Sequence, residues 1–357
     1  MRTLGAYLRR EVLGSIGLVL LAFLALFAIF DFLAELDELG RGTYRLKHVI
    51  IYVLLTLPGR AYEVMPIAAL IGTLLGLTIL ARNSEITVMR SSGVSLRRLL
   101  GSLLKTGTIL VLLTLILGEL IVPPLERAAQ RWRLMSTQSA LKQDFVTGTW
   151  MRDGALFINI RKAQPNGELE GIRLYEFDRE HRLISLASAE RGEFTFGTGW
   201  RLFDATQIIF LPDHTERNVQ PELSWASELT PEMVSVAMVT PERMAIRSLY
   251  PYVRHMLDNN QRAGRYAVAL WKKVIYPFAS LIMIALALPF ALGNQRSGNI
   301  GGRLLIGVML GMGFHLLNGL FGNLGIINNW SPWWSASAPS LLFMVAAAAL
   351  IWKAERR

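Results

Sequence analysis

The chain has 357 residues, 52% of them hydrophobic and 18% charged, with no cysteine and a net charge of +10. Ordinary soluble domains carry about 25% charged residues, and several runs here approach the ~20 apolar residues that cross a bilayer, so the class is a polytopic α-helical membrane protein. The lack of cysteine excludes disulfides, thiolate zinc sites and iron–sulfur clusters; the basic excess fits membrane topology and anionic lipid, with nucleic acid a poor second reading.

Residues 1–11 place Arg2, Arg9 and Arg10 beside Leu4, Tyr7 and Leu8 and read as a short interfacial helix. A first span is predicted at 12–33, too long for the core of a cleavable signal and followed by no small-residue cleavage site. The loop 34–48 mixes Glu35, Asp37 and Glu38 with Arg41, Arg45 and Lys47. A second span, 49–80, is expected to break near Pro58 and Pro66 and contains Arg60 and Glu63. The polar stretch 82–93 follows, then a third span, 99–122, ending at Pro123-Pro124.

From residue 125 to 262 hydropathy falls and the period becomes two. Asp153-Gly154 between alternating segments is a hairpin signal. Strands are predicted at 148–152, 155–161, 171–177, 183–189, 193–196, 200–210 and 219–225. Turns at Pro165-Asn166-Gly167, Gly197-Thr198-Gly199 and Pro212-Asp213 separate them. So many strands need a buried face, which predicts an antiparallel β domain of two sheets. Thr240-Pro241 closes it, and Ser248 is expected to cap a helix at 249–259. Three more spans are predicted at 268–292, 304–321 and 336–352, joined by loops 293–303 and 322–335. The plan is helices 1–3 in residues 1–122, a β domain with its closing helix in 123–262, and helices 4–6 in 263–357, with no internal repeat evident.

Basic residues orient the array. The amino terminus, the 82–98 loop, the 293–303 loop and the 353–357 tail carry Arg2, Arg9, Arg10, Arg82, Arg90, Arg97, Arg98, Arg296, Arg303, Lys353, Arg356 and Arg357, whereas the short opposite loops carry only Arg41, Arg45 and Lys47. The first side is expected to be cytoplasmic and the β domain to lie across the membrane from it.

No P-loop, no His-Glu-x-x-His and no nucleophile elbow occurs, and the five histidines give no metal-ligand spacing, so neither a catalytic nor a metal site is expected. The stretch 83–93 can form a short amphipathic helix capped by Asn83 or Ser84, with Glu85 in its first turn. From pattern alone a partner-docking helix and a plain connecting loop fit equally. Gly72-x-x-x-Gly76 and Gly307-x-x-x-Gly311 suit close helix packing in lipid. Arg60, Glu63, Glu119, Lys272 and Lys273 fall near the outer ends of their spans. Arg60 and Glu63, at i and i+3, suit a local pair, whereas Lys272-Lys273 has no adjacent acid. Arg127 and Arg131 share a helical face if the third helix continues, with Arg133 pointing elsewhere. A phosphate-bearing amphiphile would suit a basic rim formed by Arg60, Arg133, Lys272 and Lys273; the alternative is snorkelling to lipid headgroups.

Met65-Pro66-Ile67-Ala68-Ala69-Leu70-Ile71-Gly72, followed by Leu80-Ala81-Arg82-Asn83-Ser84-Glu85-Ile86-Thr87-Val88-Met89-Arg90-Ser91-Ser92-Gly93, resembles the lipopolysaccharide-export permease family LptF/LptG. Gly264-Arg265-Tyr266, Leu270-Trp271-Lys272-Lys273, Pro277 and the Gly319 to Gly322-Asn323 stretch add to the resemblance, which covers the whole chain. Leu174-Tyr175-Glu176-Phe177 and the tail look closer to the LptG branch than to LptF. The resemblance implies a non-catalytic permease subunit of an ABC exporter in a Gram-negative inner membrane, with both termini cytoplasmic and the β domain periplasmic and jellyroll-like. It would work with a sibling LptF-type permease, a homodimeric LptB-type ATPase that binds ATP and Mg, and a single-span LptC-type jellyroll protein. This chain would carry no cofactor of its own. Lipopolysaccharide would pass from the membrane to a periplasmic bridge. The polar stretch would be the coupling helix, meeting the ATPase through Glu85, Ile86, Met89 and Arg90. One departure is that the family often has Lys directly after the proline, whereas Pro58-Gly59-Arg60 shifts the cation by one. The rival class is a membrane sensor or scaffold with an outer ligand-binding β domain and no ATPase partner.

Overall fold

The computed structural model describes residues 2–356 apart from 41–42, 138–147, 165–166, 179, 181, 196–198, 212, 226, 228, 232–233, 235–240, 260 and 293–299. The predicted turns at Pro165-Asn166, Gly197-Thr198 and Pro212, the Thr240 boundary and the 293–299 part of the basic loop lie outside the described residues. The chain forms two units, residues 1–137 with 267–357, and residues 138–266.

The first unit holds α1 (Arg2–Leu36), α2 (Leu46–Arg82), α3 (Glu85–Ser91), α4 (Leu96–Ile116) and α5 (Val122–Thr137). Across the second unit, α6 (Ile246–Asp258) leads to α7 (Gly264–Leu292), and the first unit is completed by α8 (Ile300–Ile327) and α9 (Pro332–Glu355). Among the described residues six helices are long and apolar enough to cross a membrane. Both prolines of α2 lie inside one continuous helix, so the expected break is not found. The middle of α2 is buried among its neighbours, including Met65, Ala69, Leu70 and Leu74, and that packing sustains the helix across the missing N–H groups. Nor does the third span end at Pro123-Pro124. A π-helical turn, Leu117–Ile121, resets the hydrogen-bond register, and α5 restarts at Val122. The two prolines then occupy a first turn, where an absent N–H costs least.

The small residues act where they were expected to. A Cβ at Gly72 would strike the backbone of Ile16, and one at Gly76 would come within 3.0 Å of Ser15 Oγ, so α1 rests directly on α2. Gly307 and Gly311 likewise admit Leu74 and Ile67 of α2 against α8. The core of this unit gathers Leu8 and Val12 of α1, Leu74 and Leu77 of α2, Leu103 of α4 and Met283 of α7.

In the second unit β1 (Thr149–Asp153), β2 (Leu156–Ala163), β3 (Leu169–Phe177), β4 (Leu183–Thr195), β5 (Gly199–Phe210) and β6 (Thr215–Trp225) form one antiparallel sheet in sequential order. The expectation of two sheets is corrected here, and so is the division of β4 into two strands. The ladder is interrupted along a single line, Arg161, Gly171, Glu190, Asp204 and Pro221, whose flanking residues remain paired in unchanged register. Gly171 and Asp204 on that line have φ of +64° and +54°, and Pro221 has no N–H to give. The buried side changes parity across it: Ile172 and Leu174 follow Leu169 in β3, and Ala205 follows Trp200 and Leu202 in β5. One creased sheet thus supplies the two buried blocks that the sequence suggested as separate sheets. Trp200 is fully buried, donates to the Leu229 carbonyl at 2.7 Å and stacks on Trp225.

The helix after the sheet starts earlier than expected. Ala245, not Ser248, is the N-cap, because its extended backbone lets its carbonyl accept from both Ser248 and Leu249. At the far end Asn259 Oδ1 accepts from Gly154 N at 2.8 Å, and Gln261 donates to the Arg152 carbonyl, fastening this segment to the β1–β2 hairpin.

Candidate functional site

The polar stretch folds as α3, seven residues between α2 and α4. Ser84 takes the N-cap place in a left-handed conformation (φ 62°) without a side-chain cap bond, and its carbonyl accepts from Val88 N. Gly93 ends the turn at φ +86°, a conformation that an L side chain rarely adopts. Ile86 and Met89, three apart, are buried in the bundle core with Leu77, Leu80 and Leu99. Of the four residues expected to meet a partner, these two are therefore turned inward. Glu85 and Arg90 stay at the surface, and Glu85 Oε2 accepts from the Tyr7 hydroxyl at 2.9 Å. Val88, 61% exposed, is the apolar residue on the outward face. The sequence reading counts it among the apolar contacts of the stretch with Ile86 and Met89 but not among the four partner-facing residues, although its place two residues from Ile86 sets it on the opposite side of the helix.

The four cations expected to form a rim occupy three separate settings. Arg60 grips Asp31 of α1 with a two-pronged fork, Nη2 to Oδ1 at 2.7 Å and Nε to Oδ2 at 2.9 Å. Its Nη1 meets Glu63 at 3.1 Å, and its plane lies over Phe27. Arg133 of α5 reaches Glu35 and Glu38, each at 3.3 Å, with Tyr52 beneath its guanidinium. Glu35 also accepts from the buried Tyr44 hydroxyl at 2.9 Å. Burial first, and the Glu35 carboxylate second, raise the Tyr44 pKa, so this phenol stays protonated and donates. Each arginine thus faces two carboxylates.

Lys272 of α7 donates to the Asn318 carbonyl of α8 at 2.8 Å and lies over Gly322, where a Cβ would collide with its ammonium. The Gly-rich stretch of α8 therefore makes room for a lysine. Lys273, by contrast, is buried; it donates to the Gly118 carbonyl of the π turn at 3.3 Å and stands over the Tyr62 ring. The Tyr276 hydroxyl donates to the Glu63 carbonyl and packs on Tyr62, so Lys273 and Arg60 belong to one polar network joining α1, α2, the π turn and α7. The sequence reading missed Asp31, Tyr62 and Tyr276. One signal was present: Asp31 and Glu35 lie four apart at the end of a span, hence on one helical face, where acids need cationic partners.

The family described as lipopolysaccharide export system permease LptF/LptG matches residues 6–353 of the chain. The lipopolysaccharide export system permease protein LptG of Haemophilus influenzae is 29% identical over 353 residues, covering 99% of this chain and 98% of that protein. The protein of the same name from Escherichia coli K12 is 31% identical over 350 residues, covering 98% and 97%.

Proposed function

The chain belongs to the LptF/LptG family of lipopolysaccharide export system permeases, and we propose that it is an LptG-type permease subunit that draws lipopolysaccharide from the inner membrane toward a periplasmic protein bridge. The observation that carries this reading is the match from residue 6 to 353, which runs through both units rather than through the spans alone. In this reading the chain hydrolyses nothing. ATP and Mg bind to a partner LptB-type ATPase dimer, and an LptF-type permease and an LptC-type single-span protein complete the assembly.

The geometry suggests how force enters. α3 offers Val88 and Arg90 outward while Ile86 and Met89 pin it to Leu77 and Leu80 of α2 and Leu99 of α4. A displacement of α3 by the ATPase would therefore be borne by the bundle core. At the other end of the spans, Arg60, Arg133, Lys272 and Lys273 are the proposed contacts for lipid A phosphates. Since both arginines already hold carboxylates, phosphate would enter by exchange with Asp31, Glu35 or their neighbours, and release would restore the internal pairs. Such exchange is weaker than binding to free cations, which suits a carrier that must let go.

The test is affinity purification of the full chain from a Gram-negative host, followed by reconstitution with whatever co-purifies. A P-loop ATPase and a second permease are expected, together with ATP-dependent release of lipopolysaccharide. Photo-crosslinkers at Arg60, Arg133 and Lys272 should capture lipopolysaccharide more than one at the exposed control Leu342. Recovery of no ATPase would favour the membrane-sensor reading.

A further inference from the structure

Beside α3 a cavity of about 550 Å³ opens between the first turns of α1 and α4. That is within the range of roughly 300–1,000 Å³ typical of small-molecule sites. Its rim carries Arg9 of α1 with Arg98 and Lys105 of α4, and its floor is Leu4, Leu8 and Leu99. The Ser102 hydroxyl donates to the Gly5 carbonyl at 3.4 Å and ties the two helices together at the cavity wall. Among the described residues none of the three cations has an ion pair or hydrogen bond. Two acids of the neighbouring segments are engaged elsewhere: Glu355 pairs with Arg97 at 2.8 Å and Glu85 accepts from Tyr7. These three cations differ in that respect from Arg60 and Arg133, which are matched by carboxylates of the chain itself.

Arg98 and Lys105 are seven residues apart on α4, so they stand on one face about 10 Å apart along the axis. Ile109 and Leu112 continue that face and are exposed. A ligand that satisfies the whole surface needs an anionic head for the rim and an apolar tail for the floor and the stripe beyond it. We propose that this cavity binds an anionic glycerophospholipid of the adjoining bilayer leaflet, phosphate among Arg9, Arg98 and Lys105, acyl chain along Leu8, Leu99, Ile109 and Leu112. A soluble phosphate would leave the apolar floor uncovered, and plain snorkelling would not need a recess shared by two helices.

The experiment titrates the purified full chain in detergent with fluorescent phosphatidylglycerol and counts retained lipids by native mass spectrometry. Phosphatidylglycerol should be held at least tenfold better than phosphatidylcholine. The triple variant Arg9→Gln, Arg98→Gln, Lys105→Gln should lose about a hundredfold in affinity, near fivefold for each cation. Arg9→Lys with Arg98→Lys should stay close to the parent. Gly101→Trp should expel the lipid without any change of charge, because Gly101 lines the cavity and a Cβ there meets nothing within 4 Å. Equal retention of the two lipids, or an unaltered triple variant, overturns the proposal. So does displacement of the lipid by millimolar inorganic phosphate, which would mark a soluble-anion site. Loss of a co-purifying protein from the triple variant, with lipid retention intact, would assign the cations to a protein interface and would equally overturn it.

Discussion

Arg60 and Asp31 are 29 residues apart in the chain and belong to different helices, yet they form a two-pronged ion pair. Their side chains are 34% and 15% exposed, so solvent screening is partial, and a forked pair in that setting should contribute about 1 kcal/mol. A double-mutant cycle of Arg60→Gln and Asp31→Asn, read by thermal unfolding in detergent, is expected to give a coupling of that size; a coupling near zero would refute the pair's role. Lys272 allows a cleaner functional test. Gly322→Ala would push the ammonium off its seat, since the added Cβ would come 2.8 Å from Lys272 Cε. The colliding atoms are the flexible end of the lysine, so stability should change by no more than about 0.5 kcal/mol. Export should fall if the seated lysine contacts substrate, and unchanged export with a displaced lysine would remove Lys272 from the site. The cations themselves were legible in the sequence because charge is rare in a span. Their partners were not, because a pair between helices depends on how those helices pack, and only Glu63, on the same helix as Arg60, could be paired by spacing.

Within α3 the period of 3.6 puts Ile86 and Met89 on one side and Val88 on the other, but the period does not say which side meets the bundle. The structure answers this by burial, and the two sides then make opposite predictions. Ile86→Ala should cost about 2–4 kcal/mol, as for other large-to-small changes in a packed core, and lower the yield of folded protein. Val88→Asp should leave the melting temperature nearly unchanged, while ATPase co-purification falls. If Val88→Asp keeps the full complement of ATPase, the outward face of α3 is not the contact. Glycine spacing supports a similar contrast. Gly72→Leu would force α1 off α2 at Ile16, whereas Gly313→Leu on α8 points a new side chain into open space. Expression of folded protein should collapse for the first and persist for the second. Helix packing of this kind was readable from the small-xxx-small pattern; continuity through Pro58, Pro66 and Pro123 was not. A proline removes a hydrogen bond in any helix, and only the surrounding burial or a π turn shows whether the helix survives it.

At the level of the molecule, six spans and six strands follow from two periodicities that differ sharply in hydropathy, so the order of spans and strands was plain from the residues. The crease was hidden. Glu190-Arg191-Gly192 breaks the alternation of β4 and reads as a gap between strands, whereas in the folded sheet Arg191 covers the Phe203 ring, the residue it pairs with on β5, and the strand runs on. The proposed membrane sidedness rests on connectivity and charge together. If all six apolar helices cross, both termini would share a side, α3 after the second crossing would share it too, and the β unit after the third would fall opposite. On that topology Arg2, Arg9, Arg10, Arg82, Arg90, Arg97, Arg98, Lys353 and Arg356 would all fall on the side of the termini, and the proposal is that this side is cytoplasmic. The chain has no cysteine, so a single introduced thiol reports without background. Thr215, exposed at the start of β6, and Val88, exposed on α3, are suitable probes in different units. A membrane-impermeant maleimide added to cells with a permeabilised outer membrane should label Thr215→Cys at once and Val88→Cys only after the inner membrane is broken. The reverse pattern would invert the whole array, and with it both the placement of the ATPase at α3 and the proposed passage of lipopolysaccharide toward a periplasmic bridge.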